Sequence, residues 1–364
     1  MKRFKYHFEP KSGWINDPNG LIYFKRKYHA FFQHNPKEPK WGPMHWGHAV
    51  SDDLINWTEL PIVLYPDMPY ENGEGCFSGS AIEKDGKLYL FYTSVARGNK
   101  QTQSVAISED GINFKKYDGN PVIRHFPPSG SKDFRDPKVS LIDGKYYMVI
   151  GSGKGKTGKV LLYTSENLLE WKYLGVLYEN ADFGKIYECP DFFKLGNDYV
   201  LMFSKMISDI NKTQFIIGDF DGRNFYPKSY SAPEYGPQFY APQTFLDNKG
   251  RRILIGWFYD WNKQPEPDLN YAGALTIPRE LDIIGGKIRM FPVEEAYGLL
   301  TTSDEFVEIS ENKAIFHGAD LPEPLCYNGK IDSVHILRDE KAIEVFINRG
   351  EISYSYWITE VNNK

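Results

Sequence analysis

The sequence of 364 residues predicts an all-β fold: a five-bladed β-propeller followed by a short C-terminal β-sheet module. Three observations support this prediction: a strand pattern that occurs five times, a second marker in phase with it, and turn signals between the strands. Long helical periodicity is absent. A repeat of roughly 50–60 residues in a strand-rich chain is typical of a propeller, in which each repeat forms one blade of four strands.

The repeated strand begins with a polar turn and continues with aromatic or aliphatic residues. Aligned on their second residue, its five copies start at positions 28, 88, 146, 199 and 253, which gives steps of 60, 58, 53 and 54 residues. The five repeats occupy residues 1–295, and we expect this range to form the propeller domain. A β-sandwich with accidental spacing is the alternative interpretation.

The second marker is a turn that contains Ser or Asp and is followed by an aromatic residue. Its aromatic residues are Trp57, Phe114, Trp171 and Phe225, at steps of 57, 57 and 54 residues. Asp-Gly pairs favour turns. They lie at 85–86, 110–111, 118–119, 143–144 and 221–222. Both markers therefore indicate short strands joined by tight turns.

Residues 301–364 predict a second, smaller domain. Residues 334–337 and 343–347 alternate as strands do, and the charged stretch 338–341 joins them in a turn. A further turn follows at 348–350. We expect these strands to form a small β-sheet that packs on the propeller.

Composition limits the classes of partner. The formal net charge is −5, which argues against nucleic acid, because proteins that bind it usually carry a basic face. No window approaches the ~20 apolar residues of a membrane span. The N-terminus lacks the apolar run of a signal peptide, and three cysteines cannot all pair, so a cytoplasmic location is expected. The oligomeric state stays open.

Polar residues recur at one phase of the repeat, ten or eleven residues before each strand. They are Asp17, Ser78, Asp136, Glu188 and Gln243. Equivalent positions around a rotational repeat converge on one pocket, so we expect the three acids to meet. Crowding and burial should raise the pKa of at least one of them.

Such a group of acids suits glycoside hydrolysis, which needs one carboxylate and one proton donor. A third acid can bind sugar hydroxyls. The alternative is a divalent cation site with oxygen ligands, but Arg135 and the local aromatic residues favour a sugar. His45 and His48 lack helical spacing for zinc. Neither a metal nor a cofactor is predicted.

The sequences around the acids resemble the signature blocks of glycoside hydrolase family 32, which holds invertases, sucrose-6-phosphate hydrolases, levanases and inulinases. The three blocks are WINDPNG at 14–20, FRDPK at 134–138 and YECPD at 187–191. Five shorter matches occur in the family's order. They are KWG at 40–42, MHWGH at 44–48, FSGS at 77–80, FYAPQ at 239–243 and TIPRE at 276–280.

The resemblance implies a retaining β-fructofuranosidase that releases terminal fructose from sucrose, sucrose 6-phosphate or short fructo-oligosaccharides. Asp17 matches the nucleophile that forms a covalent fructosyl-enzyme, and Glu188 matches the general acid/base. Asp136 matches the acid that holds fructose hydroxyls and stabilises the transition state. The implied substrate-binding residues are Asn16, Gln33, Trp41, Phe77, Ser78, Arg135, Cys189, Tyr240 and Trp257.

The chain departs from the family pattern in two respects. Its C-terminal region is about half the length of the family's β-sandwich, so we expect a reduced β-sandwich. Gln238 stands where many members carry Asp, and Tyr271 where a Trp is common; both positions are expected to bear on the leaving group. Three alternative functions stay open: a fructosyltransferase, a non-catalytic sugar-binding propeller, and an arabinose-releasing furanosidase of a related family.

Overall fold

A computed structural model describes residues 3–206, 212–263, 269–319, 321 and 323–358. Strands dominate this part of the chain, so the predicted all-β class is confirmed. Within the described ranges, helical structure is limited to two short 3₁₀ helices, Pro69–Glu71 and Glu294–Leu299. None of these helices is long and apolar enough to cross a membrane.

Each of the first four sheets contains four consecutive antiparallel strands, and the first gains a fifth strand from later in the chain. The first contains β1 (Gly13–Phe24), β2 (Lys27–Asn35), β3 (His45–Ser51) and β4 (Trp57–Leu64). The second contains β5 (Gly75–Lys84), β6 (Lys87–Ala96), β7 (Lys100–Ser108) and β8 (Lys115–Lys116). The third contains β9 (Phe134–Ile142), β10 (Lys145–Lys154), β11 (Thr157–Ser165) and β12 (Lys172–Asn180). The fourth contains β13 (Tyr187–Leu195), β14 (Asp198–Lys205), β15 (Thr213–Phe220) and β16 (Phe225–Ser231).

The fifth sheet leads back to the first. It contains β17 (Tyr240–Leu246), β18 (Arg252–Trp257), β20 (Arg279–Ile284) and β21 (Lys287–Pro292). The short strand β19 (Tyr271–Ala272) pairs in parallel with β1 of the first sheet. The first strands of successive sheets pack against one another, from β1 through β5, β9 and β13 to β17, and β17 packs against β1. The start of every sheet therefore faces a shared centre.

Both sequence repeats correspond to fixed places in these sheets. The five predicted strands are the second strands, β2, β6, β10, β14 and β18. The aromatic residues of the second marker begin the fourth strand or directly precede it in the first four sheets. The predicted repeat of strands is thus confirmed.

The remaining strands form two sheets that share a core. One contains β22 (Leu300–Thr301), β26 (Val334–Asp339), β27 (Ala342–Ile347) and β28 (Ile352–Trp357). The other contains β23 (Val307–Ser310), β24 (Lys313–Phe316) and β25 (Leu325–Asn328). Rings of Phe316 and Tyr354 lie 4.2 Å apart between the two sheets. The predicted hairpin is confirmed, because β26 and β27 pair antiparallel around a turn at 340–341.

A buried network of charges joins this C-terminal region to the rest of the chain. The Arg279 guanidinium, with no exposed surface, donates to Glu344 Oε2 at 2.8 Å and to Glu234 Oε2 at 2.6 Å. His7 lies 3.0 Å from both Asp339 and Glu344. Burial alone would lower the pKa of His7, but hydrogen bonds to these two carboxylates outweigh it and raise the pKa to about 9. Each buried charge therefore has a partner of opposite sign.

Candidate active site

The pairing of all five first strands is interrupted by a β-bulge where the polar residues lie, and three of these bulges share one form. In β9, β13 and β17, pairing with the next strand is interrupted by two residues, the second of which is proline. The first residue of each bulge adopts a left-handed conformation. These residues are Asp136, Cys189 and Ala241, with φ of 65°, 46° and 47°. Bulges commonly re-aim side chains next to active sites, and here each bulge turns the start of its strand toward the centre.

The bulges correct the phase predicted from the sequence. Asp136, Glu188 and Gln243 were expected at equivalent positions, and this was wrong. Asp136 lies inside its bulge, Glu188 is the last paired residue before the next one, and Gln243 is the first paired residue after the third. The side chain of Gln243 accordingly lies deeper and donates to Gly79 O at 2.8 Å.

The three acids nevertheless lie close together, and Cys189 contacts two of them. The Cys189 backbone N–H donates to Asp136 Oδ2 at 2.8 Å. Its Sγ lies 3.4 Å from Asp17 Oδ2 and 3.6 Å from Asp136 Oδ2. The hydroxyl of Ser78 and the amide of Asn16 also donate to the Asp17 carboxylate. Burial, with Asp136 and Asp17 nearby, raises the pKa of the Cys189 thiol well above its usual range, so the thiol keeps its proton.

Glu188 is held from both sides by residues just before the bulges. Arg135 donates to Glu188 Oε1 from Nε at 3.1 Å and from a terminal nitrogen at 2.9 Å. The Tyr240 hydroxyl donates to Glu188 Oε2 at 2.6 Å. Arg135 also donates to Asp133 Oδ1 at 2.9 Å. The carboxyl of Glu188 is therefore oriented while its side chain stays 19% exposed toward the cavity.

Burial and crowding shift the acids as expected from the sequence. Burial raises the pKa of Asp136 to about 7; Arg135 opposes this shift, whereas Glu188 and Asp17 add to it. Burial also raises the pKa of Asp17, although hydrogen bonds from Ser78 and Asn16 counteract the rise. The prediction that at least one pKa is raised is confirmed. The site thus holds carboxyl groups in different electrostatic environments.

The raised pKa of Asp136 predicts that Asp136→Asn stabilises the free protein in a pH-dependent way. The pKa of Asp136 is about 7 in the folded protein, against an ordinary value of 3.8 that we assume for the unfolded chain. The contribution of this group to stability is therefore complete below pH 3.8 and is lost as the pH rises through 7. Asparagine cannot ionise, accepts from the Cys189 N–H and tolerates the left-handed backbone. We expect the free energy of unfolding of the variant to exceed that of the wild type by ~1–3 kcal/mol between pH 4 and 7.5. Urea unfolding measures this difference.

Asp85→Asn is the matched control, because Asp85 is also left-handed (φ 52°) but its side chain is 85% exposed. It should show no such gain. A difference between Asp136→Asn and wild type that stays constant with pH would contradict the assignment of the raised pKa to Asp136.

The acids line a cavity of about 390 Å³. Nine predicted site residues lie in its wall: Asn16, Asp17, Gln33, Trp41, Phe77, Ser78, Arg135, Asp136 and Glu188. Three predicted residues do not. Cys189 and Tyr240 contact the acids, as described above, without being part of the lining. Trp257 has no exposed surface and packs at 4.8 Å against the ring of Trp261, which does line the cavity. Trp257 supports a cavity residue and does not itself reach a ligand.

The cavity also contains residues that sequence reasoning missed. They are Glu74, Asn99, Gln101, Asp133, Met206 and Trp261. Only Asp133 had a signal, since it directly precedes the FRDPK block. Trp261 stacks on Trp14 at 5.7 Å and is 48% exposed, and Trp41 is 42% exposed. The two tryptophans give the cavity two exposed aromatic surfaces, which suit the apolar faces of sugar rings.

Gln238 and Tyr271 do not line this cavity, contrary to the expectation that they face the leaving group. Gln238 is buried, and its Oε1 accepts from the backbone N–H of Trp357 in β28 at 3.0 Å. Tyr271 pairs with β1, and the guanidinium of Arg3 lies 4.5 Å from its ring centroid. Both residues contribute to contacts between segments of the fold.

A buried ion pair lies deeper at the centre. The Lys138 ammonium lies 3.1 Å from Asp191 Oδ2, and Thr244 donates to the same oxygen from its backbone N–H at 2.8 Å. Lys138 and Asp191 follow Asp136 and Cys189 by two residues in their strands. Across the described ranges, no group of three His, Cys, Asp or Glu side chains has a geometry that could hold a metal ion.

Comparison with known proteins identifies the family of the chain. Residues 7–292 match the sequence profile described as "Glycosyl hydrolases family 32 N-terminal domain". The chain belongs to glycosyl hydrolase family 32. The family resemblance inferred from the signature blocks is therefore confirmed.

Individual relatives agree with this assignment. The chain is 42% identical over 316 residues to the sucrose-6-phosphate hydrolase of Escherichia coli, and 37% identical over 349 residues to the levanase of Bacillus subtilis. These alignments cover 81% and 86% of the chain but only 65% and 50% of the relatives. The chain thus spans between half and two thirds of their length. The structure of a Bombyx mori GH32 beta-fructofuranosidase superposes with a TM-score of 0.86 at 33% identity, covering 98% of this chain and 89% of that one.

Proposed function

We propose that this protein is a retaining β-fructofuranosidase that releases terminal fructose from sucrose-type substrates through a covalent fructosyl-enzyme. The observation that carries the proposal is the meeting of Asp17, Asp136 and Glu188 in one cavity of a family 32 chain. Relatives named sucrose-6-phosphate hydrolase, levanase and beta-fructofuranosidase support the reaction class, and a Bombyx mori relative is described in complex with sucrose.

The environment of each acid supports a distinct role. Asp17 receives hydrogen bonds from Ser78 and Asn16, which favour the ionised form that a nucleophile needs. Glu188 is the proposed acid/base: it protonates the leaving oxygen and then activates water. Arg135 and Tyr240 fix its orientation. Asp136 is proposed to accept hydrogen bonds from fructose hydroxyls, which replace the water lost on binding.

The architecture proposed for this chemistry is a five-bladed propeller at residues 1–295 with a reduced C-terminal β-sandwich at 301–364. Five four-stranded sheets with packed first strands, and the parallel pairing of β19 with β1, support the closed ring. Two small sheets with a shared core support the sandwich. The cytoplasmic location stays a prediction, which cell fractionation with an antibody would test.

The charges of the cavity favour a neutral leaving group. Five carboxyl groups line it: Asp17, Glu74, Asp133, Asp136 and Glu188. Arg135 is the one cation in the lining among the described residues, and it already bonds Glu188 and Asp133. Lys212 follows the cavity residue Met206 by six positions in the sequence, and its ammonium pairs with Asp260 at 3.3 Å. Along the described part of the cavity wall, a phosphate group on the substrate would meet mainly carboxylates, and the single cation there already bonds two of them.

We therefore expect higher kcat/KM for sucrose and neutral fructo-oligosaccharides than for sucrose 6-phosphate, by roughly tenfold at low salt, because like charges in a partly buried cavity repel. Fructose release from the three substrates measures this. Methanol added to the sucrose reaction tests the stereochemistry, since retention yields methyl β-fructofuranoside. No fructose release from any fructoside would refute the proposed function.

Asp133→Asn is the control for the charge argument. Removing this carboxylate should narrow the difference between sucrose and sucrose 6-phosphate severalfold, while activity on sucrose changes little. Higher salt should narrow it as well, because ions screen the repulsion. A wild-type preference for sucrose 6-phosphate that Asp133→Asn leaves unchanged would contradict the neutral leaving group but not the fructosidase assignment.

A further inference from the structure

A second cavity, of about 440 Å³, opens beside the hairpin that joins β6 to β7. Lys100 and Thr102 of β7 line it, whereas Gln101 between them lines the catalytic cavity. Successive residues of a strand face opposite sides of the sheet, so β7 separates the two cavities. A cavity of this size is within the usual range for small-molecule sites.

The two cavities have opposite charge. Lys100, Arg124 and His125 line the second one, and no carboxylate is among its described lining residues. All three side chains are exposed, and within the described ranges none of them forms an ion pair. Among the described residues, the guanidinium of Arg124 donates a single hydrogen bond, to Gly119 O at 3.3 Å. The charges of Lys100 and Arg124 are therefore available to an anionic ligand.

The base of the cavity is rigid and offers polar atoms. Asn120 is clamped to the backbone of Val105, accepting from its N–H at 2.9 Å and donating to its C=O at 2.8 Å. The Asn120 amide also donates to the Tyr70 hydroxyl at 3.4 Å. Thr102 is 4% exposed, and its buried hydroxyl has no hydrogen-bond partner among the described residues. An unsatisfied buried hydroxyl is costly and is commonly explained by a missing ligand or water.

We propose that this second cavity binds a phosphorylated sugar. Lys and Arg side chains donate strong charge-assisted hydrogen bonds to phosphate, and Lys100 and Arg124 provide them here. The ring of Tyr70, with Pro69 and Pro121 beside it, forms an apolar surface for the sugar. The volume exceeds what a free inorganic anion needs, which favours a ligand with a sugar body attached to its phosphate.

Calorimetric titration of the full chain with glucose 6-phosphate tests the proposal, with glucose and inorganic phosphate as reference probes. We expect glucose 6-phosphate to bind at least about tenfold more tightly than either reference. The double variant Lys100→Ala/Arg124→Ala should lose at least about tenfold in affinity, because each charge-assisted bond it removes is a strong one. Thr102→Val should cause a smaller loss.

The matched control is Lys172→Ala/Arg223→Ala, which removes the same charge from exposed positions elsewhere and should bind as the wild type does. An unchanged melting temperature shows that the variants are folded. Equal affinity in the Lys100/Arg124 variant and the wild type would show that the ligand does not bind in the second cavity. If inorganic phosphate bound as tightly as glucose 6-phosphate, the proposal that the ligand contains a sugar would be wrong. Because the titration involves no turnover, either failure leaves the proposed fructosidase activity untouched.

Discussion

Asp17→Asn is expected to lower kcat for sucrose on the order of 10⁴-fold or more, because an amide cannot form the covalent fructosyl-enzyme. The fold should survive, since asparagine matches the shape of aspartate and still accepts the hydrogen bond from Ser78. Fructose release measures the loss, and an unchanged melting temperature shows that the variant is intact. Asp85→Asn, an exposed change of the same kind, should retain full activity.

Glu188→Gln distinguishes the two carboxyl roles. It should also abolish turnover of sucrose, whose leaving oxygen needs a proton. The fluoride of β-fructofuranosyl fluoride leaves without protonation. Glu188→Gln should therefore still form the fructosyl-enzyme from this substrate and release fluoride, whereas Asp17→Asn should not. Wild-type-like release of fructose from sucrose by either variant would contradict the catalytic role assigned to the residue that it replaces. Equal responses of both variants to the fluoride would contradict the separation of nucleophile from acid.

The amino-acid sequence was sufficient to predict the repeat and the three acids, but not their register. Strand positions follow from local alternation and turn residues, which short segments specify by themselves. The bulges of β9, β13 and β17 shift the register by a residue or two, and a fixed count back from each strand misses this. Aligning the chain on Pro137, Pro190 and Pro242, the second residues of the bulges, would have given the observed register.

The rim of the cavity was harder to predict than its centre. Asn99 and Gln101 come from the β6–β7 hairpin, and no local pattern links them to acids in distant strands. Trp257 and Trp261 are four residues apart, and the sequence does not reveal which one is covered. The structure buries Trp257 at the end of β18 and leaves Trp261 beyond it, 48% exposed. Burial of this kind depends on tertiary packing, which only the assembled fold defines.

The C-terminal strands connect to the active site through the backbone before β17. Gln238 N–H donates to Ser355 O at 3.2 Å, and Trp357 N–H donates to the side chain of Gln238. Two residues later, Tyr240 donates to Glu188. Glu234, in the same segment, accepts from Arg279. The buried network around Arg279 therefore stabilises both the C-terminal sheets and the segment that delivers Tyr240.

Arg279→Leu is expected to destabilise the protein by about 3–5 kcal/mol, since it leaves the Glu234 and Glu344 carboxylates buried without their shared cation. Urea unfolding monitored by tryptophan fluorescence measures this. Arg279→Lys should also be costly, because an ammonium cannot reproduce the forked hydrogen bonds of guanidinium to two carboxylates.

The control is Arg289→Leu. Arg289 is partly exposed and lies 3.7 Å from Glu351, so its replacement should cost less than about 1 kcal/mol. If Arg279→Leu were as mild, the network would not stabilise the fold. Adding Glu234→Gln to Arg279→Leu should recover part of the loss, because it removes one of the two carboxylate charges that Arg279 had neutralised. If the double variant were no more stable than Arg279→Leu alone, the loss of stability would come from lost packing and not from buried charge.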